Sequence, residues 1–307
     1  MFFYLFVFDD SDASRRDLTI NAMFLDMEGN VIDYFDGAED LSKKLIRFVG
    51  DPNERIREDY LRIFRYFRFY VRYGCHTKHD SGTLDAIRSN CQGLQGISGE
   101  RIWTEMKKIL SCKRCDSVMP LIINDLGISP FMGFQRSPID LKEFSRSHAA
   151  VFSEEPKPLF EPVTLMSSLI LVDEDMKVGQ RLKFSNFEKD VCAFIIANRD
   201  DTSHVTLTTI QKKLALAPKS QQRNMRLYIL EFLRYIRSFD TLKQIESWEI
   251  PEFPMRGDAL KHKVAKPKNM TPVMEHLKKI WAENGFNFDA DLLDKEADLY
   301  IQKNFAK

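Results

Sequence analysis

Three clusters in the first 110 positions hold residue types that can do chemistry. The first is "DDSDASRRD", residues 9–17. Asp10 and Asp12 stand in D-x-D spacing, in which two carboxylates can grip divalent cations. Arg15, Arg16 and Asp17 follow at once, directly against the apolar run "LTINAMF". The second cluster is "NERIREDYLRIFR", residues 53–65, where guanidiniums and carboxylates interleave with core-type residues. The third is Arg101 and Glu105 in "SGERIWTEMKKIL", one helical turn apart.

The second cluster carries the sharpest chemistry. At about 100° per residue, Tyr60, Ile63, Phe64, Phe67 and Val71 fall on one helix side as a core stripe. Arg55, Glu58, Asp59, Arg62 and Arg65 share the other side. The plain reading is a salt-bridged solvated face, each pair adding about 0.2–0.5 kcal/mol. The alternative reading uses the acceptor-only carboxylate of Asp59 beside the donor-only guanidinium of Arg62. Such a pair matches the Watson–Crick edge of a base with an exocyclic amine beside a ring acceptor. Cytosine and adenine offer that edge; guanine and uracil place a carbonyl oxygen there. A protein can select C and A this way without a nucleic-acid template.

The elements that must position these residues are mostly helices. Strand signals end by residue 50: residues 2–8 ("FFYLFVF"), 19–26, 31–35 and 45–49, with "MEGN" as a turn. The run 51–73 reads as one helix, with Asp51 as N-cap, Pro52 at N1, Glu54 at N3 and Gly74 as stop. A second helix follows Ser98. Further helices are expected over 116–125, 139–149, 162–172, 186–198, 206–214 and 219–237. The last two run from Thr271 as N-cap to the Gly285 stop, and from 290 to 303. Proline-bearing breaks at "SEEPKPLFEP" and "EIPEFPMRG" mark joints.

Composition excludes some classes. Lys plus Arg equals Asp plus Glu, 45 each, so any nucleic-acid surface is local. Five unevenly spaced Cys do not form a disulfide framework, which favours a reducing compartment. Cys112 and Cys115 form a lone C-x-x-C, read as half-buried thiols rather than a metal site. "MFFYLFVF" is too short to span a membrane and no basic residue precedes it, so no clear targeting segment is present.

"RRDLTIN" (15–21), "DYFDGAEDL" (33–41), "EDYLRIFRYFRF" (58–69) and "GISGERIWTEMKKIL" (96–110) follow one another in an order that closely resembles the class II tRNA nucleotidyltransferases, the CCA-adding enzymes, in their eukaryotic and mitochondrial form. "PEFPMRGDAL" and "HLKKIWAENGF" resemble that family's tail. The resemblance implies a mainly α fold: a small β-containing nucleotidyltransferase palm remnant at 1–50, then an all-helical neck (51–125), body (126–200) and tail (201–307). It implies template-independent addition of CCA to tRNA 3′ ends from CTP and ATP. Arg16 and Asp17 then contact ribose and phosphates, Asp59 and Arg62 read the base, and Arg65 lies near them. Asp33, Gly37 and Asp40 match a hinge motif; Arg101 and Glu105 match a helix-stabilising motif, and their i, i+4 spacing would let them pair. Arg256, Lys261, Lys263, Lys266 and Lys268, opposed in sequence only by Asp258, are expected to grip the acceptor–TΨC region of tRNA, as the resembled tail does. The family's compartments are mitochondrial, cytoplasmic or nuclear.

The family uses Mg²⁺ held by a D-x-D strand and a Gly-Ser turn, both well upstream of the R-R-D motif. Here only 14 residues precede Arg15. Asp10 and Asp12 abut the motif, where the family has an acidic lead-in, so they are weak catalytic candidates and no metal ligand is assigned. The expectation is a chain lacking its metal-binding carboxylates, unable alone to add CTP or ATP. The alternatives are a non-catalytic tRNA-binding protein or an inactive truncated product.

Overall fold

The computed structural model describes residues 10–74, 78–153, 159–172, 175–264 and 266–305. The fold is mainly α, and its contacts divide the chain into two units, Met1–Ala197 and Asn198–Lys307.

Among the described residues, the first unit opens with a short helix, α1 (Asp10–Ser14), so Asp10 and Asp12 lie in a helical turn. Strand β1 (Met23–Leu25) pairs antiparallel with β2 (Val31–Asp33), Leu25 facing Val31. The turn between them is shaped by Asp26, whose carboxylate accepts the N–H groups of Glu28 and Asn30 at 2.9 and 2.8 Å. The strands are shorter than the sequence predicts. Thr19–Asn21 forms a 3₁₀ turn, and of 45–49 only Phe48 bridges, to Leu18. The expected strand at 2–8 lies outside the described residues.

Side chains end β2. The Asp33 carboxylate accepts the N–H groups of Phe35, Gly37 and Ala38 at 3.3, 3.0 and 2.8 Å, turning the chain into α2 (Gly37–Lys43). Burial opposes the Asp33 anion, but these N–H groups outweigh it and hold the carboxyl below its usual value. A Cβ on Gly37 would lie 2.3 Å from the Thr19 carbonyl oxygen, so only glycine fits. Asp40, buried, accepts from Thr19 Oγ1 at 2.6 Å and from Arg47.

The expected helix over 51–73 is broken. Asp51 caps α3 (Pro52–Glu58) through the Asn53 N–H, and Asp59 is extended at φ −154°, ψ 105°. Helix α4 (Arg62–Phe69) then runs into a π turn, Tyr70–Gly74. Gly74 therefore lies inside the turn. The core stripe survives the break: Ile63, Phe64, Phe67 and Val71 are buried, while Tyr60, on the junction, is half-buried.

Helix α5 (Ser81–Asn90) packs on α3, and α6 (Gly99–Leu110), capped by Ser98, packs on α4. The expected helix at 116–125 is a 3₁₀ turn (Cys115–Ser117) and a π turn (Leu121–Asp125) around Pro120, which has no N–H to donate. Burial pushes the Cys115 thiol up, which fits an inert buried side chain. Helices α7 (Lys142–Val151), α8 (Pro162–Met166), α9 (Asp175–Leu182) and α10 (Asn186–Asn198) follow. Glu188 of α10 ties α6 in place, accepting from Trp103 Nε1 at 2.8 Å and Lys107 Nζ at 3.2 Å.

Tyr66 is also buried, because its hydroxyl meets His79 Nδ1 at 2.9 Å while the His79 ring stacks on Tyr70 at 3.7 Å. Burial lowers the His79 pKa to about 4 from 6.5. The unfolded chain therefore binds the proton first as pH falls. The stability from neutral His79 is fully present above pH 6.5 and is lost as pH falls toward 4. Denaturant melts across this window are expected to show a slope that flattens in His79→Gln; an unchanged difference curve would refute the assignment.

The second unit holds α11 (Leu207–Leu216), α12 (Lys219–Tyr235), α13 (Phe239–Ser247), α14 (Gly257–Leu260), α15 (Met270–Glu283) and α16 (Ala290–Phe305). Leu260, Val273, Leu277, Trp281, Leu293 and Ala297 form one of its cores. Helix α15 starts one residue before Thr271, which is therefore inside the helix, and Asn269 holds the cap position. Gly285, at φ +66°, ends it as the sequence predicts. No helix among the described residues is long and apolar enough to cross a membrane.

Candidate functional site

A cleft of about 530 Å³ opens where the residues after α1 meet the α3–α4 junction. It is lined by Arg15, Arg16, Asp17, Asn21, Asp59, Leu61, Arg62, Arg65, Phe69 and Arg101. The predicted Arg16, Asp17, Asp59, Arg62 and Arg65 thus come together from separate segments. Five guanidiniums face two carboxylates, a lining suited to an anion with a polar, planar group attached.

The two Asp residues are held differently. Asp17 is buried and accepts from Arg65 Nε at 2.5 Å and Asn21 Nδ2 at 3.2 Å. Burial alone would raise its carboxyl, but the Arg65 contact, with Asn21, holds it below the ordinary aspartate value. Asp59 is half-buried at the helix break. Its Oδ1 accepts the Leu61 N–H at 3.1 Å and its Oδ2 accepts Arg101 Nη2 at 2.7 Å.

Arg62 is a staple as well as a donor. Its Nη1 reaches the Arg55 carbonyl at 2.9 Å and Glu58 at 2.5 Å; its Nη2 reaches the Arg15 carbonyl at 2.9 Å. Arg55 Nη1 likewise reaches the Ser14 carbonyl at 2.7 Å, and its Nη2 meets Glu58 at 2.6 Å. Glu58 therefore orients two arginines that grip the end of α1. The helical face proposed from periodicity needs correction: Asp59 and Arg62 share the cleft, but Asp59 gets there by an extended backbone, outside any helix.

Two further expectations are corrected. Arg101 and Glu105 do not pair with each other: Arg101 turns to Asp59, and buried Glu105 meets Arg68 and Lys108 at 2.9 and 2.8 Å. Glu105 is drawn inward because Arg68, on α4, is itself nearly buried. Asp12, the weak metal candidate, is bound by the guanidiniums of Arg15 and Arg16. These hydrogen bonds lower its pKa. Among the described residues, no three His, Cys, Asp or Glu side chains stand together as a metal site. Asn21, Phe69 and the cleft role of Arg101 were not singled out from sequence. Asn21 closes the "RRDLTIN" motif and was the one legible signal.

The basic tail run is also less free than its sequence implies. Lys261 pairs with Asp258 at 2.5 Å, and Lys263 with Asp294 and Asp298 of α16 at 2.7 and 2.9 Å. Arg256, Lys266 and Lys268 are exposed.

Known proteins resemble this chain in sequence and in fold. The Poly A polymerase head domain matches residues 9–47, and the probable RNA and SrmB- binding site of polymerase A matches 80–125. The chain is 39% identical over 287 residues to the mitochondrial CCA tRNA nucleotidyltransferase 1 of Mus musculus and 40% identical to that of Homo sapiens. Each alignment covers 92% of this chain and 65% of the relative. A solved Bacillus stearothermophilus CCA-adding enzyme in complex with CTP has a TM-score of 0.70 at 22% identity, covering 96% of this chain and 76% of that one, a likeness of fold. A Thermotoga maritima CCA-adding enzyme complexed with tRNA gives 0.62 at 16%, covering 95% and 73%. With the ordered motifs, the mainly helical fold and these likenesses together, the chain is similar to tRNA nucleotidyltransferases of the poly(A) polymerase group, and it spans just under two thirds of the length of these relatives.

Proposed function

We propose that this chain selects CTP and ATP for template-independent addition of CCA to tRNA 3′ ends. The observation that carries the reading is the convergence of Arg16, Asp17, Asp59, Arg62 and Arg65 on one cleft. Asp59 accepts the exocyclic amine of cytosine or adenine. Arg62 donates to the neighbouring ring acceptor through Nε or the second Nη2 hydrogen, its other N–H groups being committed to Glu58 and backbone carbonyls. Arg16 and Arg65 supply positive charge for the triphosphate, with Asp17 fixing Arg65.

Mg²⁺ is expected for the family's chemistry, where it would neutralise the developing phosphate charge. The described carboxylates of the cleft, Asp17 and Asp59, do not fit that ion, and neither does Asp12 outside its lining, since each faces a guanidinium, and no step here is routed through it. The division into head to residue 50, neck 51–125, body 126–200 and tail 201–307 belongs to the same proposal. So do the hinge role of Asp33, Gly37 and Asp40, tRNA acceptor and TΨC contact through Arg256, Lys266 and Lys268, and a mitochondrial location like that in the relatives' names.

Equilibrium binding of all four nucleoside triphosphates to the 307-residue chain tests the reading. CTP and ATP are expected to bind about tenfold tighter than UTP and GTP, the effect of one good bidentate base contact. Equal affinity for all four would refute base selection at this cleft.

A further inference from the structure

Asp59 is not positioned by its own helix. We infer that Arg101, from α6, is a positioning residue for base selection, fixing the Asp59 carboxylate so that its remaining lone pairs face the cleft. This rests on the reading of Asp59 as the base acceptor.

At the break between α3 and α4 the Asp59 backbone is extended, so its side chain stands outside the regular i, i+4 spacing of either helix. One local donor, the Leu61 N–H, holds Oδ1. A single contact leaves the carboxylate free to rotate. The second donor arrives from 42 residues away, Arg101 Nη2 on Oδ2 at 2.7 Å. Each oxygen then has one bond and one acceptor site to spare. Both residues line the same cleft as Arg62.

The pair is poorly placed to serve stability. Arg101 is half exposed and Asp59 about a third exposed, and ion pairs in such settings contribute little to folding. Yet Arg101 is held firmly from behind. It stands three residues after the Ser98 cap, whose side chain accepts the Arg101 N–H. Gly99 presses against the backbone of Arg181, so the start of α6 has no room to drift. A firmly mounted guanidinium aimed at an exposed carboxylate orients that carboxylate. Without Arg101, the Asp59 anion stands among the remaining cleft arginines and turns toward them, away from the base.

The test compares wild type, Arg101→Gln, Arg101→Lys and Asp59→Ala in equilibrium binding of CTP, ATP, UTP and GTP, with melting temperatures recorded alongside. Arg101→Gln is expected to lower the CTP-to-UTP affinity ratio by roughly tenfold, close to the Asp59→Ala value, at unchanged melting temperature. Arg101→Lys keeps the charge but lacks the planar fork, so its ratio is expected to fall between the two. An unchanged ratio in Arg101→Gln, with a selective wild type, overturns the role of Arg101 and leaves Asp59 as reader. A uniform loss for all four nucleotides also overturns it, because it would place Arg101 on the phosphates or in the fold. A wild type that binds all four equally removes the base-reading proposal itself, and this inference with it.

Discussion

Gly99→Ala is expected to destabilise the first unit by upwards of about 3 kcal/mol, at the high end for overpacking. A Cβ at position 99 would lie 1.5 Å from the carbonyl oxygen of Arg181 and 2.6 Å from its carbonyl carbon. These are backbone atoms and cannot swing aside as a side-chain tip would. The Arg181 guanidinium is meanwhile anchored to the carbonyls of Leu94 and Ile97 at 3.1 and 2.9 Å. Helices α6 and α9 must therefore separate, which also disturbs Arg101 two residues on. Urea unfolding followed by circular dichroism measures the loss. Gly96→Ala is the control: its Cβ would meet open space, and a change within about 0.5 kcal/mol is expected. If Gly99→Ala were as mild as that control, the close approach of α6 to α9 would be wrong.

Asp59→Ala is expected to abolish base discrimination while sparing the fold. A bidentate base contact is worth about 1–3 kcal/mol, so the roughly tenfold preference for CTP and ATP over UTP and GTP should fall to about none. Removing this carboxylate leaves Arg101 half exposed and able to take water, so the melting temperature should hold. The Ile63, Phe64, Phe67 and Val71 stripe is untouched. The telling pattern is a loss of CTP and ATP affinity with UTP and GTP unchanged. Equal weakening of all four, or a fall in melting temperature alone, would make Asp59 an ordinary partner of Arg101.

The sequence by itself determined that the chain is mainly helical and which stripe of α4 is core, because a 3.6-residue apolar period can be buried in only one way. It determined the helix starts at Asp51 and Ser98, since a side chain that caps an N-terminus acts within three residues of itself. Through its resemblance to the tRNA nucleotidyltransferase motifs, it also marked Arg16, Asp17, Asp59, Arg62 and Arg65 as one group.

Partner choice was decided only by tertiary structure. Arg101 and Glu105 have ideal i, i+4 spacing, yet each has a better partner outside α6: Asp59 for one, nearly buried Arg68 for the other. Lys263 looked free because the Asp294 and Asp298 that hold it are 31 and 35 residues away. The break at Asp59 was illegible for the same reason. Residues 51–73 have the helical pattern throughout, and no proline or glycine marks the interruption. The extended residue meets a guanidinium that sequence distance hides, and the two line one cleft together.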